Sequence, residues 1–242
     1  MALCNNADEL PDLLTSRLFT LLDRKGAATT GATVLDRVPG YPFPDLPYAV
    51  SIGYHLNPVV VREIRSGPTD EYILEYNRVN KELSKLSGIC VQYLHDLGYR
   101  AIAIEPTLPQ VVRDHLYAEF PHKTAATCAG IGWIGKCALL VTRMYGSAIR
   151  LTTVCTNAPL TTGRPVVHSY CGDCMMCVDS CPGKAPSGKN WDPTLHRDEF
   201  WNAEACFLCC EDAKTINLES AQVCGICIAV CPYTQRFIKS SL

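Results

Sequence analysis

The chain has 242 residues, 48% of them apolar and 19% charged, with 22 basic against 24 acidic side chains and a net charge of −2. This composition excludes a disordered chain, and without a basic excess it argues against strong nonspecific binding of nucleic acid. No uninterrupted apolar stretch of about 18 residues occurs, so no membrane span is expected; the start, Met1 to Asp8, lacks the charged and apolar regions of a secretory signal.

Taken in chain order, a helix is predicted near Leu10 to Leu22, followed by a Gly/Thr-rich stretch to about residue 35. The prolines of Val38 to Pro47 suit a rigid, extended connection. Tyr48 to Tyr54 reads as a buried strand. From Thr69 to Leu97, the residues Ile73, Tyr76, Leu83, Leu86, Cys90 and Leu94 recur near helical spacing. Gly98 ends that helix, and Tyr99 to Glu105 alternates as a strand. Strand, crossover helix and strand together predict an α/β layered domain. A further helical start lies near Pro109 to His122. The glycines of Gly130 to Lys136 break the pattern, and Ala148 to Cys155 reads as another strand. Pro159 to Arg164 is a linker candidate. A boundary near residue 165 divides an α/β cofactor- or substrate-binding domain, 1–165, from a second domain, 166–242.

The second domain is dominated by cysteine. The first run is Cys171-x2-Cys174-x2-Cys177-x3-Cys181-Pro182 and the second is Cys224-x2-Cys227-x3-Cys231-Pro232. This is the spacing of a ferredoxin-like domain with two [4Fe–4S] clusters, where the fourth cysteine of a run crosses to the other cluster. The odd count of fifteen cysteines argues for thiolates in a reducing cytoplasm rather than for disulfides. Cys171, Cys174 and Cys177 are expected to share one cluster with Cys231, and Cys181 to join Cys224 and Cys227. The eighth ligand comes from Cys206, Cys209 or Cys210, with Cys206 favoured for its place at the start of a helix-like segment. A two-zinc ribbon and a redox dithiol are the competing readings. Cys4, Cys90, Cys128, Cys137 and Cys155 read as buried small hydrophobes.

The loop Ala129-Gly130-Ile131-Gly132-Trp133-Ile134-Gly135-Lys136 lacks the spacing of an ATP loop and the setting of a dinucleotide loop. Its glycines would allow close backbone approach to a flat or bulky ligand, and Lys136 would add a positive charge for an anionic group.

AGIGWIGKCALLV at Ala129 to Val141, YGSAIRLTTVCTNAPL at Tyr145 to Leu160, CGDCMMCVDSCPGKA at Cys171 to Ala185 and VCGICIAVCPYTQRF at Val223 to Phe237 resemble the epoxyqueuosine reductase family and, more distantly, the reductive dehalogenases. The resemblance spans about residues 48 to 237. It implies a nitroreductase-like layered α/β domain holding cobalamin, a corrinoid, beside two [4Fe–4S] clusters that reduce it, and it carries over Cys171, Cys174, Cys177, Cys181, Cys224, Cys227 and Cys231 as ligands. There are departures. Cys137 stands where the family loop continues GWIGKN. The family's acidic proton donor has no clean equivalent, leaving Glu105 as a displaced acid, and Glu71-Tyr72-Ile73 stands near where the family shows Asp-Tyr-His. No C-terminal repeat region of a transfer-RNA-modifying member follows Cys231. These features predict a short paralogue that does not modify tRNA and has a small-molecule substrate or a corrinoid as partner.

Tyr54 and His55, at the end of the first strand, are expected beside a cofactor with Gly130, Gly132, Trp133, Gly135 and Lys136. Tyr145 is a candidate proton donor alongside Glu105, or an aromatic packed on Trp133. His168, three residues before Cys171, would tune a cluster by hydrogen bonding. The expected function is a cytoplasmic iron–sulfur oxidoreductase fed by an external low-potential donor of ferredoxin or flavodoxin type. A non-catalytic electron-transfer or corrinoid-activating protein, and a flavin-containing reductase, are the alternatives. Nucleic acid is not expected as a partner, and a dimer is compatible with the sequence but unsupported by it.

Overall fold

A computed structural model describes residues 6–36, 38–107, 120–212 and 223–242. The helical start predicted from Pro109, with His115, and the cysteine at position 4 lie outside the described residues.

The chain opens with α1 (Asn6–Arg24) and β1 (Thr29–Val34), then β2 (Tyr48–His55) and the short α2 (Pro58–Glu63). The 27-residue α3 (Asp70–Asp96) is the longest element. Its start is set by Thr69, whose hydroxyl accepts from the Tyr72 N–H, and its end by Gly98 in the left-handed conformation. Tyr72, Val79, Leu83, Leu86, Cys90 and Leu94 are buried along one face, so helical spacing does mark the side that meets the sheet. After β3 (Ala101–Ile104) come α4 (His122–Cys128), the two-residue strands β4 (Trp133–Ile134) and β5 (Leu140–Val141), and β6 (Ile149–Thr156).

The main sheet runs β1-β2-β6-β3 with every neighbouring pair antiparallel. Strand alternation divides its side chains between two layers. Val50, Ile52 and Val154 join the core with Leu18, Leu22 and the buried face of α3. Ala49 and Cys155 face the other way, toward Ala125 of α4, Leu35 and Phe120. The Gly/Thr-rich stretch that the sequence left unassigned is β1. Gly31 lets it pass under α4: a Cβ there would lie 3.0 Å from the Ala129 methyl and 3.2 Å from the Ala129 carbonyl oxygen.

Beyond residue 165 the elements are short: α5 (Met176–Asp179), α6 (Arg197–Phe200), α7 (Ala203–Asp212), α8 (Ile226–Ala229) and α9 (Pro232–Ser241). Ile228, Ala229, Phe237 and Ile238 of the last two helices belong to the same core as α1 and α3. The expectation of a ferredoxin-like domain organised by two [4Fe–4S] clusters is corrected here. Among the described residues, no group of three or more His, Cys, Asp or Glu side chains is arranged to hold a metal ion. Apolar burial against the α/β layer organises this segment instead.

Candidate functional site

The glycine loop connects α4 to β4, and its glycines serve the chain's own packing. A Cβ on Gly130 would sit 2.6 Å from the Arg164 carbonyl oxygen, and one on Gly132 would sit 2.2 Å from that of Val141. These approaches thread the loop between the β4–β5 hairpin and the segment at Arg164. The loop then forms one wall of a groove of about 280 Å³, which Trp133, Thr142, Arg143, Tyr145 and Tyr170 complete. Gly130 and Gly132 border this groove, whereas Gly135 and Lys136 do not.

Trp133 is 1% exposed, and its indole N–H has no hydrogen-bond partner. Such a buried donor costs about 1–3 kcal/mol until an acceptor reaches it. The Arg143 guanidinium lies 5.0 Å from the centroid of the exposed Tyr170 ring. It makes no ion pair with a described carboxylate. The Tyr145 hydroxyl donates to the Ala28 carbonyl at 3.3 Å, and burial followed by the charge of Asp23 raises its pKa, so it stays protonated. Its ring packs on His55 (centroids 5.2 Å) and Phe237 (5.2 Å) rather than on Trp133. The groove is thus lined by a cation, a tyrosine and an exposed ring, with the indole N–H buried behind it.

Behind the loop lies a thiol-rich wall. The turn from Gly135 to Ala138 closes with an N–H to O=C bond of 2.8 Å, and Ala138 takes a left-handed conformation (φ 59°). A non-glycine residue there costs roughly 1 kcal/mol. The turn buries Cys137, whose thiol lies near those of Cys177 and Cys227. Cys171 is nearby: a Cβ on Gly135 would lie 3.4 Å from Cys137 Sγ and 3.6 Å from Cys171 Sγ. The Cys177 contact by itself would lower the Cys137 thiol, but the Cys227 contact and burial outweigh it and push the thiol well up. Contact with Cys137, then burial, likewise raises Cys177. Two lysines border these thiols. Lys136 is 3% exposed and points its Nζ at the Met175 sulfur, 3.6 Å away. Lys123 donates to the Ala138 carbonyl at 2.9 Å, and burial lowers its pKa to about 8.

A second thiol group gathers around α7. The Cys206 and Cys210 thiols are neighbours, and Cys181, Cys209 and Cys224 lie within electrostatic reach of Cys206. The Cys210 contact lowers the Cys206 thiol, while the same contact raises Cys210. Of the eight cysteines assigned to clusters, Cys181, Cys206 and Cys224 therefore neighbour one another, while Cys177 and Cys227 meet at Cys137. Cys171 and Cys231 both pack against the cluster around Trp133, and the Cys174 N–H donates to the Cys171 carbonyl at 3.1 Å. The other predicted site residues are dispersed. Tyr54 lies beneath the Arg78 guanidinium, 5.5 Å from its ring centroid. Glu105 accepts from the Ser84 hydroxyl at 3.0 Å, outside the groove. A larger hollow of about 660 Å³ between the Pro42–Leu46 loop and the start of β3 contains none of the predicted residues. Arg143, Tyr170 and Lys123 were missed in the sequence because no spacing rule singles them out. Cys137 had a signal, its departure from the family loop.

This α/β arrangement is shared with reductive dehalogenases and epoxyqueuosine reductases. A reductive dehalogenase described as B12-dependent superposes with a TM-score of 0.73 at 16% identity, covering 99% of this chain and 35% of that one. An epoxyqueuosine reductase solved with an epoxyqueuosine-modified tRNA-Tyr stem loop gives 0.61 at 18%, covering 93% and 66%. At these identities the likeness is one of fold. No protein-family model matches the chain. In sequence, an epoxyqueuosine reductase of Atelocyanobacterium thalassa (isolate ALOHA) is 30% identical over 166 residues, 67% of this chain and 50% of the relative. One from Synechocystis sp. (strain ATCC 27184 / PCC 6803 / Kazusa) is 36% identical over 122 residues, 48% and 40% of the respective chains. The chain therefore spans half or less of the length of these curated relatives. Sequence similarity points to the epoxyqueuosine reductase family, and solved epoxyqueuosine reductases and reductive dehalogenases share the fold. The repeated similarity supports an epoxyqueuosine reductase-like enzyme.

Several expectations are corrected. The described cysteines form neighbouring pairs and groups without the convergence that two [4Fe–4S] clusters need. The combined assignment of those clusters and a corrinoid, with the iron–sulfur electron relay built on it, is withdrawn with them. The space beside Gly130 and Gly132 is filled by the carbonyls of Arg164 and Val141, and that beside Gly135 by the Val141 side chain. The expectation that nucleic acid is no partner is corrected to this extent: an epoxyqueuosine reductase of the same fold is described with a modified tRNA stem loop. No helix among the described residues is long and apolar enough to cross a membrane.

Proposed function

We propose that this chain is a cytoplasmic reductase that acts on a modified nucleoside presented by an RNA stem loop, with the groove beside the glycine loop as its substrate site. The observation that carries the reading is the groove that sets the Arg143 guanidinium beside the exposed Tyr170 ring, 5.0 Å from its centroid. An exposed ring stacks on a base without reading its sequence, and a guanidinium pairs with a phosphate. Local chemistry of this kind does not require a basic surface overall. The name shared by the relatives supplies the substrate class, an epoxide-bearing nucleoside.

Removing an epoxide oxygen as water takes two electrons and two protons. Tyr145 is the proton source in this reading, because it lines the groove and its phenol, bonded to the Ala28 carbonyl, stays protonated. Arg143 and Tyr170 orient the RNA in this reading, and Trp133 packs behind them. Residues 1–165 supply most of the binding surface, and residues 166–242 supply the thiol-rich wall that begins just after Tyr170. Mass spectrometry of a modified stem loop incubated with the enzyme and a strong reductant under nitrogen tests the activity. Loss of one oxygen from the nucleoside is expected. An unchanged mass alongside retained binding would reduce the chain to an RNA-binding protein.

A further inference from the structure

We propose that the RNA path runs out of the groove onto α9, where Tyr233 and Arg236 hold the nucleotide next to the one being reduced. The inference rests on the RNA reading of the groove and extends it to a second nucleotide. α9 buries Thr234, Phe237 and Ile238 against the core, which leaves Pro232, Arg236 and Lys239 on its exposed side. Its ten residues include no carboxylate. The Arg236 guanidinium lies over the Tyr233 ring, 4.2 Å from its centroid. Tyr233 in turn meets the Trp133 indole edge-on at 4.8 Å, and Tyr170 meets the same indole at 5.2 Å. The Tyr233 hydroxyl donates to the Tyr170 carbonyl at 3.5 Å. Trp133 therefore locks two arginine–tyrosine pairs side by side, Arg143 on Tyr170 at the groove and Arg236 on Tyr233 outside it.

The repetition of this unit selects the partner. Neither guanidinium has a carboxylate at ion-pair distance among the described residues, so both charges are available to an anion. A guanidinium carried on a ring pairs with phosphate and also stacks with a base, a combination that suits a single strand of RNA. An acidic protein segment would use the charges but not the rings. Lys239, one turn beyond Arg236, extends the positive side of the helix. An isolated modified nucleoside fills the groove alone and forgoes the contacts at α9.

The test measures binding of the full chain to a short unmodified single-stranded RNA, a modified nucleoside and a modified stem loop, each at several salt concentrations. Arg236→Gln is expected to weaken binding of both RNAs about tenfold. It should also flatten log affinity against log salt by about 0.7, the loss of one single-strand phosphate contact, and leave the isolated nucleoside unaffected. Tyr233→Phe should bind like the unsubstituted chain and Tyr233→Leu about tenfold more weakly. Arg236 is exposed, so its variant should keep the unfolding midpoint and decides the matter even if changes at Tyr233 loosen Trp133. Equal RNA affinity and an unchanged salt slope in Arg236→Gln would overturn the proposal, whether or not the stem loop loses its oxygen. Inorganic polyphosphate of matched charge should bind at least about tenfold more weakly than RNA; equal affinity would also overturn it, leaving a patch for acidic partners. A stem loop that binds through Arg236 but keeps its epoxide oxygen would instead sink the reductase reading and support this one.

Discussion

Glu75 projects from α3 into the protein at 7% exposure, where its carboxylate accepts from the Asn57 N–H at 2.8 Å and from two nitrogens of Arg78 at 2.7 and 2.8 Å. Replacing it with alanine leaves the Asn57 donor unmatched next to the N-terminus of α2, and Glu75→Ala should cost about 2–3 kcal/mol in urea unfolding. His122 is satisfied on both ring nitrogens, by Thr153 Oγ1 and the Glu105 carbonyl, each at 2.9 Å. Burial lowers its pKa from 6.5 to about 4. The unfolded chain therefore binds the proton more readily, so this residue's contribution to stability falls as pH drops from about 6.5 to about 4 and is flat above that window. His122→Asn should flatten the slope of stability against pH between those limits; an unchanged slope would contradict the assignment. Neither arrangement was legible in the sequence. A carboxylate on a helix and a histidine without a spaced partner look solvated until tertiary contacts are known.

At the scale of elements, periodicity was a good guide wherever one face is buried. Tyr48 to Tyr54, Thr69 to Leu97 and Ala148 to Cys155 each match an observed element to within two residues at either end. β1 escaped because a strand containing Gly31 and three threonines has little alternation to read. Cysteine spacing was legible too, but convergence of thiols is a tertiary property, and the contacts that formed include Cys137, which the spacing omits. The glycine loop was legible as a break, but sequence cannot say which atoms fill the space that a glycine leaves. Gly132→Ala should therefore destabilise by at least about 2 kcal/mol through collision with the Val141 carbonyl. The attachment of α9 is testable as well. Thr234 is fully buried and accepts from the Ser147 N–H at 3.0 Å through Oγ1. Thr234→Val, close in shape, should cost about 1–2 kcal/mol; a neutral result would show that apolar burial alone docks the helix.

Across the whole molecule, the α/β layer presents the groove on one side of the β4–β5 hairpin while the hairpin's turn presses Cys137 into the thiol wall. The groove and the buried Cys137 share one short supersecondary unit, so a change in the turn would be felt at both. Whole-chain charge gave no hint of this, because a single arginine and a single exposed tyrosine are invisible in a net charge of −2. The central claim is that this groove receives the modified RNA. The most direct measurement is the affinity of the full chain for an epoxyqueuosine-bearing stem loop, compared with Arg143→Ala and Tyr170→Ala. Each substitution is predicted to weaken binding about tenfold, or roughly 1–2 kcal/mol, while leaving the unfolding midpoint unchanged. Binding that is equally tight in both variants, or no binding by the unsubstituted chain, would contradict the account.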